Sequence, residues 1–505
     1  MSNNQSLLPE PSLPLLPDPS EELSPPPTSS VSEPKERLSR FHRTDAGNAE
    51  LFARLFGGNL RFDHARNRWL LWGEHCWTED PAKSVLLLAK QAARWIAQQA
   101  LEIENPDERT KLYKWAIGSE TRARLEATLN LAQSEPPIAD TGRHWDANPF
   151  LLGVANGVVD LRTGRLRPGK RSDLITMQTD VKFDARASAP TWERFLKQVF
   201  GGDTQLIEFV QRAVGYSLTG DTSEQVLFMC YGTGANGKST FLDALRAVFG
   251  PYAYNLPFSA FELKARSSIP NEIAALKGKR FVTAIETNES VELNEGRIKA
   301  LTGSDPITAR FLYQEFFTFE PTGKFWLAFN HKPRVSDDSP GFWRRIRLIP
   351  FTQRFSGNKR DSRLPDKLRA EAPGILNWAI AGALKWQAQG LKSPKVVHDA
   401  SEQYCRDSDT IGEFLEDRCH ASGQVSVASM REEYLRWAEA SGERALDRKA
   451  FSQRLEARGF TKKRVGHDRD WTWVGISLRS PEPETPVPAL SPVRADADVK
   501  IPLLN

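Results

Sequence analysis

At 505 residues and 56.8 kDa the chain exceeds what one hydrophobic core usually organises, so two or three domains are expected. Hydrophobic residues make up 40% and charged residues 26%, which excludes a fibrous or wholly disordered protein. Lys plus Arg number 68 against 64 for Asp plus Glu, so any surface for nucleic acid must be local rather than global. Cys76, Cys230, Cys405 and Cys419 show no CxxC spacing, form neither a zinc ribbon nor a disulfide framework, and suit a reducing compartment. No run approaches 18 apolar residues and no signal-type N-terminus is present, so a cytoplasmic protein without membrane contact is expected.

Prolines crowd both ends, with nine in residues 1–34 and six in residues 481–505. Such composition buries too little apolar surface to offset chain ordering, so residues 1–40 and 481–505 read as disordered tails. Residues 41–190 read as an N-terminal α+β region. It holds a strand pair over Arg68–Trp77 turning at Gly73–Glu74, a helix from Val85 to Ile103, and a hairpin over Gly157–Gly169 turning at Thr163–Gly164. Phe195, Val199, Ile207, Val210 and Val214 suit two helices broken at Gly201–Gly202, a helical collar over residues 191–220.

The next run, EQVLFMCYG, has the continuous apolar character of a buried central strand. It opens residues 221–395, where strand-like and helical runs alternate as in α/β architecture. Directly after the strand, YGTGANGKST places Gly232, Gly237, Lys238 and Ser239 in the order G-x-x-x-x-G-K-[ST], before a helix over Phe241–Phe249. Glycines let backbone N–H groups close around phosphates at a helix N-terminus, so Gly234, Asn236 and Thr240 belong to the same cradle. Lys238 reaches the β- and γ-phosphates of a bound nucleotide, and the Ser239 hydroxyl ligates Mg²⁺.

An apolar strand over Phe281–Ile285 ends in Glu286 and Glu289, two acids suited to hold the metal's water shell and polarise an attacking water. Their assignment is open, and the strand is expected beside the P-loop strand. A further strand over Phe325–Phe329 ends in Asn330, an amide placed to orient that water or sense the γ-phosphate. GFWRRIRLIPF then supplies Arg344, Arg345 and Arg347. If that segment is extended, Arg345 and Arg347 share one face and Arg344 takes the other.

Residues 400–480 change character, with three helix candidates, a basic stretch and a Trp-rich hairpin turning at Gly466–His467. These are the parts of a winged-helix DNA-binding domain. Residues 444–470 carry nine Lys or Arg against four Asp or Glu, the local basic surface that the overall balance conceals. A helix over Asp447–Phe460 suits a major groove, with Lys462, Lys463 and Arg464 on phosphates. A basic, purely structural lid would show the same pattern. Trp471 and Trp473, two apart in a strand, share a face and are expected to pack the domain core.

GTGANGKST, ETNE, LTGSDPITARFLY, FNHKP and FWRRIRLIPF occur in the order found in superfamily 3 helicases. The chain resembles the phage and plasmid primase-helicase group that includes the poxvirus helicase-primase. The resemblance implies an AAA+-like P-loop ATPase forming a homo-oligomer, a hexameric ring with ATP and Mg²⁺ bound between subunits. It makes Glu286 the principal acid, Asn330 the sensor, and Arg344 and Arg345 the pair that acts across the interface. Lys299–Tyr313 matches a channel hairpin, where Lys299 and Arg310 would meet DNA phosphates. The implied function is a replicative helicase on single-stranded and forked DNA in a bacterial host, with any primase supplied by another chain. An ATP-switched origin initiator and a duplex-packaging or transposition ATPase are the alternative readings.

Overall fold

The computed structural model describes residues 40–263, 271–286, 291–311, 315–337, 339–357, 361–465 and 470–479. Both proline-rich ends, Glu289, Tyr313 and the Gly466–His467 turn lie outside the described residues. The chain divides into two compact units, one comprising residues up to 148 with 156–158 and 167–178, the other residues 149–155, 159–166 and 179 onward. Residue 190, the limit expected from sequence, falls inside the second unit.

The first unit begins with helix α1 (Asp45–Phe56), whose N-cap Thr44 accepts a hydrogen bond from the Gly47 amide. Strands β1 (Leu60–Asp63), β2 (Arg68–Trp72) and β3 (Trp77–Glu79) form an antiparallel meander, the strand pair expected around Gly73. Helices α2 (Ser84–Leu101), α3 (Pro106–Ser119) and α4 (Arg122–Ala132) follow, and β4 (Ala139–Asp140) pairs parallel with β1. Phe52, Leu60, Phe62, Val85, Ala89 and Leu125 join sheet and helices in one core. Apolar periodicity marks α2 but not α3 or α4. Those two bury mainly small or polar residues such as Ala116, Ser119, Thr128 and Ala132, which carry little hydrophobic signal.

Next in the chain come β5 (Leu151–Val154), β6 (Gly157–Asp160) and β7 (Arg165–Arg167), the last two forming the expected hairpin. Helices α5 (Pro190–Val199) and α6 (Thr204–Leu218) are separated where Gly201 and Gly202 adopt φ of 61° and 80°, conformations that glycine reaches without a Cβ clash. Then come β8 (Leu227–Tyr231), α7 (Lys238–Phe249), β9 (Ala253–Asn255), α8 (Asn271–Ala274) and β10 (Phe281–Ile285). Helix α9 (Glu295–Thr302) precedes a small hairpin, β11 (Ile307–Ala309) and β12 (Phe317–Phe319). Strand β13 (Lys324–Phe329), helix α10 (Pro340–Trp343) and strand β14 (Ile346–Pro350) complete a five-stranded sheet of order β14-β8-β13-β10-β9. Every pairing in it is parallel. All six residues of β13 are buried, as a central strand covered on both faces requires. Lys324 at its start is fully buried, and its ammonium donates to the carbonyls of Thr219, Asp221 and Thr322. Burial pushes that group well below the usual lysine range.

Helices α11 (Leu364–Ala370) and α12 (Ala372–Gln389) follow, and α12 lies against α6. Close approach depends on two glycines. A Cβ at Gly215 would sit 2.0 Å from the Ala383 nitrogen, and one at Gly382 would sit 2.0 Å from the Gln211 oxygen. Gly215→Ala is therefore expected to separate the helices and destabilise the unit by about 1–3 kcal/mol. Chemical denaturation measures this, and an unchanged midpoint would contradict the packing argument.

Helix α13 (Lys395–Asp407) packs along β14. Beyond it stand α14 (Thr410–Arg418), β15 (Cys419–His420), β16 (Gln424–Ser426), α15 (Val427–Ala440) and α16 (Arg448–Ala457). Strands β17 (Thr461–Val465) and β18 (Asp470–Val474) form an antiparallel sheet of order β16-β18-β17, while β19 (Ser477–Leu478) pairs with β15. Ile411, Phe414, Met430, Tyr434, Trp437, Phe451, Leu455 and Trp473 are their common core. Among the described residues no helix is long and apolar enough to cross a membrane.

Candidate nucleotide site

Strand β8 delivers the chain into the loop from Gly232 to Gly237, and α7 starts at Lys238. Gly234 and Gly237 adopt φ of 95° and 87°, so the loop's curvature depends on their lacking a Cβ. Gly232 is needed for space instead. A Cβ there would lie 2.2 Å from Asn236 Nδ2 and 2.3 Å from the Phe351 oxygen. Asn236 Nδ2 donates to that same oxygen at 3.3 Å and ties the loop to the segment after β14.

Lys238 is only 6% exposed. Its ammonium donates to the Gly232 carbonyl, to Asn236 Oδ1 at 3.1 Å and to Asn330 Oδ1 at 3.0 Å. Its three N–H groups thus converge on three oxygens, the acceptor type that phosphate supplies in stronger, charged form. Burial lowers its pKa from the usual lysine value. Ser239 is exposed in the first turn of α7 and Thr240 is half-buried.

The acid and the sensor are brought together, in an order that alternation alone does not reveal. β13, not β10, adjoins β8, so the strand carrying Glu286 is one place further from the P-loop than expected. Asn330 bridges the gap. Its side chain accepts from Lys238, while its backbone N–H and that of His331 donate to the Glu286 carboxylate. The Glu286 amide donates to the Ala328 oxygen at 2.9 Å, holding the two strand tips in register. Burial raises the Glu286 pKa above the usual carboxylate value, against the opposing pull of His331 and the two backbone donors. Glu286 Oε1 is buried and has no hydrogen-bond partner among the described residues. An orphaned carboxylate oxygen, an exposed serine hydroxyl and the N–H groups opening α7 fit a nucleotide with its divalent cation. His331 went unread in the sequence, although its place beside Asn330 at a strand tip is a usable signal.

Arg344 and Arg345 are not on an extended strand. They continue the short helix α10, with the Arg344 amide bonded to the Pro340 oxygen and the Arg345 amide to the Phe342 oxygen. The expected sharing of a face by Arg345 and Arg347 therefore does not apply. Exposed Arg344 donates to Gln225 Oε1 at 2.9 Å, and Arg345 donates to Thr302 Oγ1 at 3.2 Å and to the Gly341 oxygen. Partial burial and the like charge of Arg344 lower the Arg345 pKa. Strand β14 runs parallel to β8 with Ile346 opposite Leu227 and Pro350 opposite Tyr231. The pair before Ile346 and the loop after Tyr231 therefore lie at opposite ends of the sheet, separated by about 13 Å of strand.

The residues expected on DNA are dispersed. Lys299 forms an ion pair with Asp337 and donates to Ser339 Oγ at 3.1 Å, so its charge is engaged within the fold. Arg310 is exposed beyond β11, with its guanidinium 4.8 Å from the Phe316 ring centre. Lys462 pairs with Glu456 at 3.0 Å, and strand alternation turns Lys463 to the other face from Lys462 and Arg464. The structure thus splits the basic trio. Trp473 is fully buried in the core as expected, but Trp471 is 51% exposed.

Glu286 yields a test that separates chemistry from stability. Glu286→Gln is expected to leave nucleotide binding intact while lowering hydrolysis by about 10²–10⁴-fold, the usual worth of a positioned base. A base at Glu286 would be lost on acidification, so the acid limb of the rate profile should then lie above the ordinary carboxylate value. Stability has the opposite sign. A carboxyl whose folded pKa is raised penalises folding once pH exceeds the unfolded value, and fully so above the folded value. The Gln variant should therefore melt no lower than wild type at neutral pH, and a clear loss of melting temperature would contradict the assignment.

Two family models match separate stretches of the chain. A family model described as "D5 N terminal like" matches residues 49–201, and a "family of unknown function (DUF5906)" matches residues 230–345, from the P-loop strand to Arg345. A protein of Acanthamoeba polyphaga mimivirus named "Putative helicase" is 30% identical over 298 residues, covering 54% of this chain and 31% of that one. One of the same name from Invertebrate iridescent virus 3 is 24% identical over 307 residues, covering 54% and 32%. A "Putative primase" of African swine fever virus is 27% identical over 223 residues, covering 42% and 23%. The matched region thus spans about a third or less of these relatives' length. The solved C-terminal region of NrS-1 aligns with a TM-score of 0.45 and 11% identity, over 85% of this chain and 99% of that one. The two family models and the viral relatives bear out the resemblance read from the motifs, a likeness to phage- and virus-type superfamily 3 primase-helicases.

Proposed function

We propose that the chain is the ATP-hydrolysing motor of a DNA helicase that serves replication of a phage, plasmid or related element. The observation that carries this reading is the linkage of Lys238, at the start of α7, through Asn330 to Glu286 on adjoining strand tips, with Arg344 and Arg345 at the other end of the sheet. One subunit supplies the cradle, the acid and the sensor. Its neighbour in a ring, taken as a hexamer, supplies the arginines. ATP with Mg²⁺ supplies the phosphoryl group whose transfer to water drives the cycle.

Lys238 and the N–H groups of α7 would hold the phosphates, and Ser239 and Glu286 would hold the metal, directly or through its water shell. Glu286 in its charged form takes the proton of the attacking water, and Asn330 keeps that carboxylate and the lysine in fixed relation. Because Asn330 touches both, it is suited to report the state of the γ-phosphate to β13. The DNA element is the β11–β12 hairpin with Arg310, together with the C-terminal module. That module's order of one helix, two short strands, two helices and three strands supports a winged-helix reading. Phosphate contacts of this kind carry no base information, so translocation should be tolerant of sequence and sensitive to salt.

ATP hydrolysis by wild type, with and without single-stranded or duplex DNA, and unwinding of a forked duplex test this reading. Stimulation by single strands together with strand separation supports it. Tight duplex binding without unwinding would make the chain an initiator, and stimulation by duplex alone would make it a packaging or transposition ATPase.

A further inference from the structure

Strand β17 sets Lys462 opposite Trp473 and Arg464 opposite Trp471. Directly opposed residues of an antiparallel pair share a face, so these four side chains form one row. The inner half of the row is structural. Trp473 is fully buried, with the Lys462 ammonium 4.7 Å from its ring centre. The outer half runs past the edge of the core. Trp471 is half exposed, and the Arg464 guanidinium lies 5.1 Å from its ring centre.

A core does not require that arrangement, since burying an indole is strongly favourable and this one is left half in water. The adjoining chain is rich in cations. Lys463 on the other face and Arg464 have no carboxylate partner among the described residues, and Arg448, Lys449, Arg454 and Arg458 lie on the preceding helix or just after it, against Asp470 beside Trp471 and Asp409, which pairs with Arg458. An exposed flat ring braced by a guanidinium within a basic surface is the chemistry that binds unpaired nucleobases. A continuous duplex hides its base faces, whereas a single strand or a fork junction offers them.

We propose that Trp471, held by Arg464, is a stacking platform for an unpaired base, so that the C-terminal module recognises single-stranded or forked DNA rather than duplex alone. The proposal rests on the reading that the chain acts on DNA, but it does not depend on the motor.

Anisotropy of a labelled oligothymidylate and of a labelled blunt hairpin duplex, with full-length chain and no nucleotide, tests it. Trp471→Ala should weaken binding of the single strand by about 5- to 150-fold while changing duplex binding less than twofold. Trp471→Phe should retain most of the affinity. Lys463→Ala should weaken both DNAs alike, as a phosphate contact does. An unchanged thermal melting profile of Trp471→Ala, together with its retained duplex binding, establishes that the chain is folded. An equal loss on both DNAs, no loss on the single strand, or no binding by wild type would overturn the proposal. Trp471-dependent binding in a chain that fails to unwind forks would refute the motor and leave the platform standing.

Discussion

Lys238→Ala is expected to reduce ATP hydrolysis at least about a hundredfold, the cost of removing one preorganised charge from a phosphoryl-transfer site. Two effects combine. The variant removes the only cation found within hydrogen-bond reach of the P-loop among the described residues, and it leaves three oxygens, of Gly232, Asn236 and Asn330, without that donor. Asn330 then loses its tie to the loop while keeping its backbone contact to Glu286, so sensor and cradle move independently. Lys238→Arg should fail almost as badly. A planar fork cannot present three N–H groups to oxygens arranged around a point charge. Folding should survive both changes, because burial already disfavours the charged lysine. Isothermal titration with a non-hydrolysable ATP analogue, beside steady-state hydrolysis, measures both consequences. Hydrolysis above a tenth of wild type in the alanine variant would sink the assignment.

What could be read in advance was whatever a contiguous run of residues determines. The P-loop was legible because its strand, its glycines and its lysine are neighbours in sequence, and each residue type has one physical reason to be there. Glu286 and Asn330 were legible as strand tips. Their spatial relation was not, because sheet order is decided by crossovers: β13 comes 39 residues after the end of β10 yet inserts between β10 and β8. Lys299 illustrates the same limit. Its partner Asp337 lies across a hairpin and a whole strand, and nothing local announces the pairing. Arg344 and Arg345 were misplaced because alternation in RRIRLI suits a strand, while Pro340 opens a helical turn that carries both arginines with it. For the tryptophans the face was right and its extent wrong. Period two assigns Trp471 and Trp473 to one side, but only the packing of α14, α15 and α16 determines where the core ends.

Subunit mixing should give the clearest signature of all. Arg344→Ala with Arg345→Ala is expected to lower hydrolysis by about 10³–10⁵, the range for an arginine acting on a transferring phosphoryl group. The loss should appear with nucleotide binding largely retained, since the pair and its own P-loop occupy opposite ends of the sheet. Arg344→Ala alone isolates the functional part, because Arg344 is exposed and its one described partner is Gln225, whereas Arg345 also braces Thr302 and Gly341. The double arginine variant and Lys238→Ala should each be nearly inactive. Mixed together they should regain activity, because an interface that joins an intact P-loop from one to intact arginines from the other is complete. An arginine that served its own subunit could not be rescued in this way, for neither chain in the mixture would hold a whole site. Recovery that rises to a maximum near equal proportions therefore requires the site to be shared between subunits. Inactivity at every ratio would place the arginines in a structural role and remove the main physical argument for a ring.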